Sequence, residues 1–323
     1  EAVIEEINRD YDKLDLIKIE DIQDLIEKNL KELGYEDVME SFATYRERRN
    51  ESRKIFKARY HKLTKAIETL TLKDAKEVDL KRDNANVDGD TAMGTMLQYG
   101  STLAKEFAKS YQMQKRFAEA HDSGLIHIHD MDFLPMGTTT CCQIDLNDLF
   151  KDGFSTGHGH LRCPNDIMSY SALAAIAIQS NQNDQHGGQS IPAFDYFMAP
   201  GVLKTFKKQF KQMLYDYLEL DGFLGLVKFD NIVKQIDKLT SIEFDISEFS
   251  DYYANSDILE RIFKFAYDKA LSKTDRITYQ AMEAFIHNLN TMHSRAGAQV
   301  PFSSINFGTD TSNEGRLVMK NYL

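Results

Sequence analysis

The sequence predicts an α/β fold with many helices and few strands. Three observations carry that expectation. Long stretches keep a helical hydrophobic period, and short alternating or β-branched runs interrupt them at wide intervals. The apolar fraction is 42% over 323 residues, enough for a substantial core. That length fits one large domain or two smaller ones. The strands are so few that either the sheet is small or this chain is part of a domain that other residues complete.

Residues 1 to about 80 read as helical and heavily charged. In DIQDLIEKNLKELGYEDV, Ile22, Leu25, Ile26, Asn29 or Leu30, and Leu33 follow the helical period, and Gly34 is a C-terminal stop. A second helix follows in YEDVMESFATYRERRNESRKIFKARYHKL, with Val38, Phe42 and Tyr45 on one stripe and a solvated charged face. From Asp83 the composition shifts to DNANVDGDTAMGTMLQYGS, a polar, glycine-bearing stretch of the kind that forms sites. A helix through Leu103, Phe107 and Tyr111 comes next. LIHIHDMDF alternates and predicts a strand with His127 and His129 on one face. TTTCCQIDL predicts a second extended run, on which Cys141 and Cys142 face opposite sides. FSTGHGHLRCPND reads as a loop. IMSYSALAAIAIQSNQ reads as an Ala-rich helix able to approach a neighbour closely, in the core or at a subunit interface. Residues 202 to about 292 read as several helices, and the chain ends in a Gly-containing loop, an extended run and the start of a helix.

The formal net charge of −11 argues against a general nucleic-acid binder, because phosphate backbones demand a basic surface. A local basic pocket for one small phosphate ligand is still open. Three cysteines, two of them adjacent, fit a reducing, cytoplasmic setting better than a secreted one. No apolar run reaches transmembrane length, and the first residues lack a signal-type core.

Taken singly, the chemical motifs leave alternatives. An alternating H-x-H can chelate zinc, with further ligands from His121, His158, His160, His186 or aspartates, but no spacing fixes them. Hydrogen-bonded strand histidines are the simpler reading. The cysteines lack C-x-x-C spacing. HGGQS can cradle an anion or merely turn. Arg295 in SRAG can meet a phosphate or a surface carboxylate. There is no P-loop, no G-x-G-x-x-G after a strand and no serine-hydrolase elbow.

Four segments read together are more specific. DNANVDGDTAMGTMLQYGS, HIHDMDFLPMGTTTCCQIDL, NQNDQHGGQSIPAFDYFMAPGV and TMHSRAGAQVPFSSINFGTDTSNEGR resemble the anaerobic (class III) ribonucleoside-triphosphate reductases. The first helices, ending in YEDVMESFATYRERRNESR, look like the C-terminal part of an ATP-cone. The resemblance implies part of a ten-stranded α/β barrel of the glycyl-radical-enzyme type. It divides the chain into a helical ATP-cone remnant over 1–60 and the N-terminal half of the catalytic barrel over 61–323. It further implies a homodimer that reduces ribonucleoside triphosphates for deoxyribonucleotide biosynthesis. A radical-SAM activase would install the glycyl radical, formate would act as reductant, and ATP or dNTP effectors would regulate. The thiyl-forming cysteine, the structural zinc cluster and the radical glycine would lie beyond Leu323, so the chain alone is expected to be inactive.

Site residues follow from the same resemblance. Cys141 matches the early-strand cysteine that helps remove the 2′-hydroxyl as water. His127 or His129 would orient formate, His127 being preferred. Asn84 and Asn86 would meet ribose hydroxyls, and Ser303, Ser304 and Arg295 the substrate or its phosphates. The effector ground would run over Asn165, Ser169 and Gln179, with Lys204, Lys207 and Lys208 as phosphate partners. No metal ligand is expected. Two other readings are a non-catalytic nucleotide-binding regulatory fragment and an H-x-H metal hydrolase.

Overall fold

The computed structural model describes residues 2–10, 17–71, 91–253, 256–294 and 299–323. Asn84, Asn86 and Arg295, and most of the polar stretch from Asp83, lie outside the described residues. In chain order come α1 (Ala2–Asp10), α2 (Ile19–Glu32), α3 (Glu36–Thr71), α4 (Ala92–Phe107), α5 (Lys115–Asp122), β1 (Cys142–Gln143) and α6 (Leu146–Asp152). A short hairpin, β2 (Phe154–Ser155) and β3 (His160–Leu161), leads to α7 (Ile167–Asn181), β4 (Gln189–Ile191) and α8 (Phe194–Leu220). Then follow α9 (Phe229–Lys238), α10 (Ser250–Tyr253), α11 (Asp257–Thr291), β5 (Ser303–Ile305) and α12 (Asn313–Tyr322). The chain divides into two compact units, residues 1–75 with 106–125, and residues 76–105 with 126–323.

In the first unit, α2 stops where the sequence predicts. Gly34 sits at φ 83°, its N–H donates to Lys31 O, and the Tyr35 N–H reaches back to Leu30 O. Polar side chains tie the helices together. Glu6 on α1 accepts from Lys28 and Asn29 on α2, and Arg46 on α3 pairs with Asp24 at 2.5 Å and Glu27 at 3.1 Å.

In the second unit the core is helical. α11 buries Phe263, Ala266, Ala270, Thr274, Thr278, Ala281 and Phe285, a stripe at the helical period. The Ala-rich α7 lies in this core, where Ala174, Ala175 and Ala177 let α8 and α11 come close, and Ser171 Oγ donates to Ala281 O at 2.7 Å. Gly201 on α8 faces the Tyr170 ring, and an added Cβ would sit 2.9 Å from it. The N-terminus of α7 is capped by Asp166 and Ser169 in a capping box, and Thr205 Oγ1 accepts from the Ile167 N–H at 2.9 Å. Phe206, Phe210, Phe244, Phe249 and Tyr267 pack edge to face beneath α8.

At the end of the chain, Asp275 on α11 accepts from Asn321 at 2.8 Å and Lys320 at 2.9 Å. Burial pushes the Asp275 carboxyl up, but the bonds from Asn321 and Lys320 outweigh it and hold it below the ordinary carboxylate value. A carboxyl depressed on folding stabilises above its unfolded pKa, and that contribution is lost as pH falls through the folded value. Hydrogen exchange of α12 amides should therefore speed up on acidification more in the wild type than in Asp275→Asn. Equal acid sensitivity would show that this anchor contributes nothing.

β1, β4 and β5 form a parallel sheet in the order β1-β4-β5. Cys142 aligns with Gln189 and Ser303, and Gln143 with Ser190 and Ser304. Alternation therefore sends Cys142, Ile144, Gln189, Ile191, Ser303 and Ile305 toward the helices. Ile144 and Ile191 are core residues, with Cys142 and Ile305 packed against them. The opposite face carries Cys141, Gln143, Ser190, Phe302 and Ser304, and Phe302 is 68% exposed. Buried Asp195 in the first turn of α8 accepts from Gly308 N at 2.8 Å and Asp310 N at 3.0 Å, which fixes the turn after β5.

The α/β expectation holds as a mainly helical fold with a small parallel sheet. Two local expectations fail. LIHIHDMDF is not a strand: Gly124 at φ 75°, Asp130 at φ 50° and Gly137 at φ 66° bend the segment, and Phe133 N–H···Asp130 O closes a turn. Its adjacent apolar residues Leu125 and Ile126, which a strand would send to opposite faces, are both exposed, so no sheet face pulls either inward. FSTGHGHLRCPND, read as a loop, contains the β2–β3 hairpin. Among the described residues, no helix is long and apolar enough to cross a membrane.

Candidate functional site

The open sheet face is the first place where chemistry gathers. Cys141, immediately before β1, is exposed. Cys142 points the other way, and its Sγ accepts from Asn181 Nδ2 at 3.1 Å. The two adjacent thiols thus have different surroundings, as alternation predicts. Gly187, just before β4, adopts φ 104°. A Cβ there would collide with the Thr140 carbonyl and come within 3.2 Å of Cys141 Sγ, so the position admits only glycine. Ser304 shares the open face with Cys141, while Ser303 aligns with Cys142 on the other side and turns its hydroxyl to Pro301 O.

The turn at 125–137 brings His127 and His129 to a centroid separation of 6.1 Å, with rings nearly perpendicular. Both are exposed. His129 Nδ1 lies 2.6 Å from Asp130 Oδ2, and His186 Nε2 lies 2.9 Å from Asp130 Oδ1. The ring of His186 stacks on Phe133 at 3.8 Å. Asp130 had no assigned role in the sequence, and His186 figured there only as a metal ligand. The available signal was the acid that directly follows H-x-H. Among the described residues, no group of three or more His, Cys, Asp or Glu side chains is arranged to hold a metal ion.

A second region is a cleft of about 670 Å³ whose lining includes Asn165, Lys204, Lys207, Lys208, Lys211 and Tyr215. It unites four of the six residues expected at an effector site and adds Lys211. Ser169 is engaged in capping α7, and Gln179 Nε2 donates to Asn288 O, so neither lines the cleft. Lys204 Nζ donates to Pro164 O and Tyr170 Oη. Lys211 pairs with Asp237 at 2.5 Å, and Lys208 lies 3.9 Å from Asp166. Burial lowers the Lys207 pKa, Asp237 opposes this and Lys211 adds to it, leaving the ammonium below its ordinary value. An anion in the cleft would reverse that shift.

Comparison with known proteins places these features. The profile of the family described as anaerobic ribonucleoside-triphosphate reductase matches residues 83–323. The chain belongs to this family. An ATP cone domain profile matches residues 1–51. The chain is 26% identical over 308 residues to the anaerobic ribonucleoside-triphosphate reductase of Escherichia coli K12, covering 95% of this chain and 36% of that protein. It is 26% identical over 259 residues to the reductase of that name from enterobacteria phage T4, covering 80% of this chain and 35% of that protein. The Salmonella typhimurium reductase is 24% identical over the whole chain, which covers 38% of it. The chain thus spans little more than a third of the length of these relatives. In this reductase-family chain, the family match contains both the Cys141 face and the lysine cleft, whereas α1, α2 and the first part of α3 fall within the ATP-cone match.

Proposed function

We propose that this chain is the N-terminal portion of the catalytic subunit of an anaerobic ribonucleoside-triphosphate reductase. Residues 1–60 act as the C-terminal part of a regulatory ATP-cone, and residues 61–323 contribute the first half of a ten-stranded barrel. The observation that carries this reading is the exposed Cys141 thiol on the face of a parallel sheet that the described residues leave open, the other face being packed against helices. The overall balance is ribonucleotide plus formate plus a proton giving deoxyribonucleotide, carbon dioxide and water. A glycyl radical, installed by a radical-SAM activase on a segment outside this sequence, supplies the unpaired electron. A structural zinc is likewise assigned elsewhere.

Within this chain, Cys141 offers a weak S–H bond beside the ribose and assists loss of the 2′-hydroxyl as water. Ser304, on the same sheet face, donates to substrate oxygens, and Ser303 keeps the strand in place. Asp130 holds Nδ1 of His129 and turns Nε2 toward formate for a charge-assisted bond, and His127 stands beside it as the other proposed formate residue. Asn84, Asn86 and Arg295 keep their proposed ribose and phosphate contacts. The lysine cleft is the effector site, at a homodimer interface, with lysines for the triphosphate. The test is anaerobic turnover. The complete, activated protein should convert a ribonucleoside triphosphate to its deoxy form with formate, and absence of product under these conditions refutes the assignment.

A second reading, a nucleotide-binding regulatory piece without catalysis, is favoured by the cleft, whose lysines all lie within this chain. Calorimetry with dATP, dGTP, dTTP and ATP addresses it. Lys207→Ala and Lys211→Ala should each weaken triphosphate binding about 10- to 150-fold, because a hydrogen bond to a charged group contributes about 1.5–3 kcal/mol. Unchanged affinity in both variants would move the effector elsewhere. The metal-hydrolase reading has no gathered ligand set among the described residues.

A further inference from the structure

We infer that Asp130 and His186 form a clamp that positions Cys141 for the reaction, with Gly187 as the element that transmits it. This rests on the reading of Cys141 as the reacting thiol. Asp130 is the single non-glycine residue with positive φ among the described residues, at 50°. Strain of that kind persists only where surrounding contacts over-determine it. Here they do. Asp130 accepts from His186 Nε2 at 2.9 Å and is bonded to His129 at 2.6 Å. The neighbouring Asp132 accepts from Ser101 Oγ at 2.6 Å, and Phe133 stacks on the His186 ring. The side chains of Asp130 and His186 are each 14% exposed, so their charge-assisted bond is shielded from water on most sides.

The same histidine holds the segment that carries the thiol. Its backbone N–H donates to Thr139 O at 2.9 Å, and Thr138 Oγ1 donates to Asp184 O at 3.2 Å. Residues 138–141 are therefore laced to residues 184–187 on the approach to β1 and β4. Gly187 follows His186 immediately, and it leaves no room for a side chain: a Cβ there would fall on the Thr140 carbonyl and 3.2 Å from the Cys141 sulfur. In the proposed clamp, a shift of His186 would be passed through its backbone bond to Thr139 and through Gly187 to the segment that carries the thiol. His186 acts through Gly187 rather than on substrate, so it is a positioning residue.

The clamp can be tested without turnover. In a Cys163→Ser background, Cys141 is the exposed thiol, and its alkylation by iodoacetamide is followed by peptide mass spectrometry. His186→Phe keeps an aromatic ring on Phe133 but deletes the donor, whereas His186→Gln restores a donor without the stack. Releasing the thiol from Gly187 should raise alkylation in His186→Phe by about threefold or more, since cysteine reactivity follows its surroundings. His186→Gln and the wild type should agree. If His186→Phe does not fold, Asp130→Asn, which keeps shape but loses charge, should show the same rise. In the complete enzyme, His186→Phe should lower kcat by about 10- to 100-fold with KM for ribonucleotide little changed, the scale expected when a reacting group is misplaced by an ångström. Unaltered alkylation in folded variants, or a KM effect alone, overturns the clamp. Faster alkylation in a protein that never forms product leaves the clamp standing and refutes the reductase reading.

Discussion

Cys141→Ala is expected to lower deoxyribonucleotide formation by about three orders of magnitude or more, equivalent to about 4 kcal/mol of lost transition-state stabilisation. The fold should survive, because Cys141 is exposed and surface substitutions usually change stability by less than about 0.5 kcal/mol. Effector binding in the lysine cleft should be unchanged, since Cys141 does not line it. The informative control is the adjacent cysteine. Cys142 packs against the core and receives a bond from Asn181, so Cys142→Ala should reduce stability while sparing much of the turnover. Product assays and urea melts on both variants decide the matter. The reverse pattern, with Cys142 essential and Cys141 dispensable, would mean that the reacting thiol lies on the helical side of the sheet.

The second large effect is on stability. Asp195→Ala should cost about 3–5 kcal/mol, because a buried carboxylate with two backbone donors cannot be removed without leaving those N–H groups unpaired. Asp195 is fully buried and binds the N–H groups of Gly308 and Asp310, with Thr309 Oγ1 at 3.5 Å. It also sits in the first turn of α8, where the helix dipole favours a negative charge. Asp195→Asn keeps one acceptor oxygen and should fall between wild type and alanine. Urea unfolding should show a lower midpoint with an unchanged slope. A loss below about 1 kcal/mol would mean that solvent or other groups satisfy the turn after β5.

Much of the helical part was legible because helices announce themselves locally. Gly34 ended α2, Ala-rich spacing marked α7, and the stretches from Gly201 and from Ile277 read as helices, whereas the first two turns of α8, with Pro200 among them, read as irregular. The sheet was less legible. β1 has two residues and pairs with β4, 47 positions away in register, and β4 pairs with β5 a further 114 positions on, so no local pattern reports the sheet. The H-x-H stretch misled for a related reason: polar and apolar residues alternate there without a sheet to pair with, and the left-handed Gly124, Asp130 and Gly137 turn the chain instead. Of the candidate site, alternation foretold that Cys141 and Cys142 face opposite sides, and Lys204, Lys207 and Lys208 do line one cleft. The Asp130–His186 pair could not, because 56 residues separate its members.

β4 and β5 pair in register although more than a hundred residues lie between them, and those residues form α8 to α11. Closing so long a loop is entropically costly, and contacts of high sequence separation form slowly. Helix assembly in α7, α8 and α11 would therefore come early in refolding, with the third strand docking last. Until it does, the central strand has one free flank, and that interval is when this polypeptide is most exposed to aggregation.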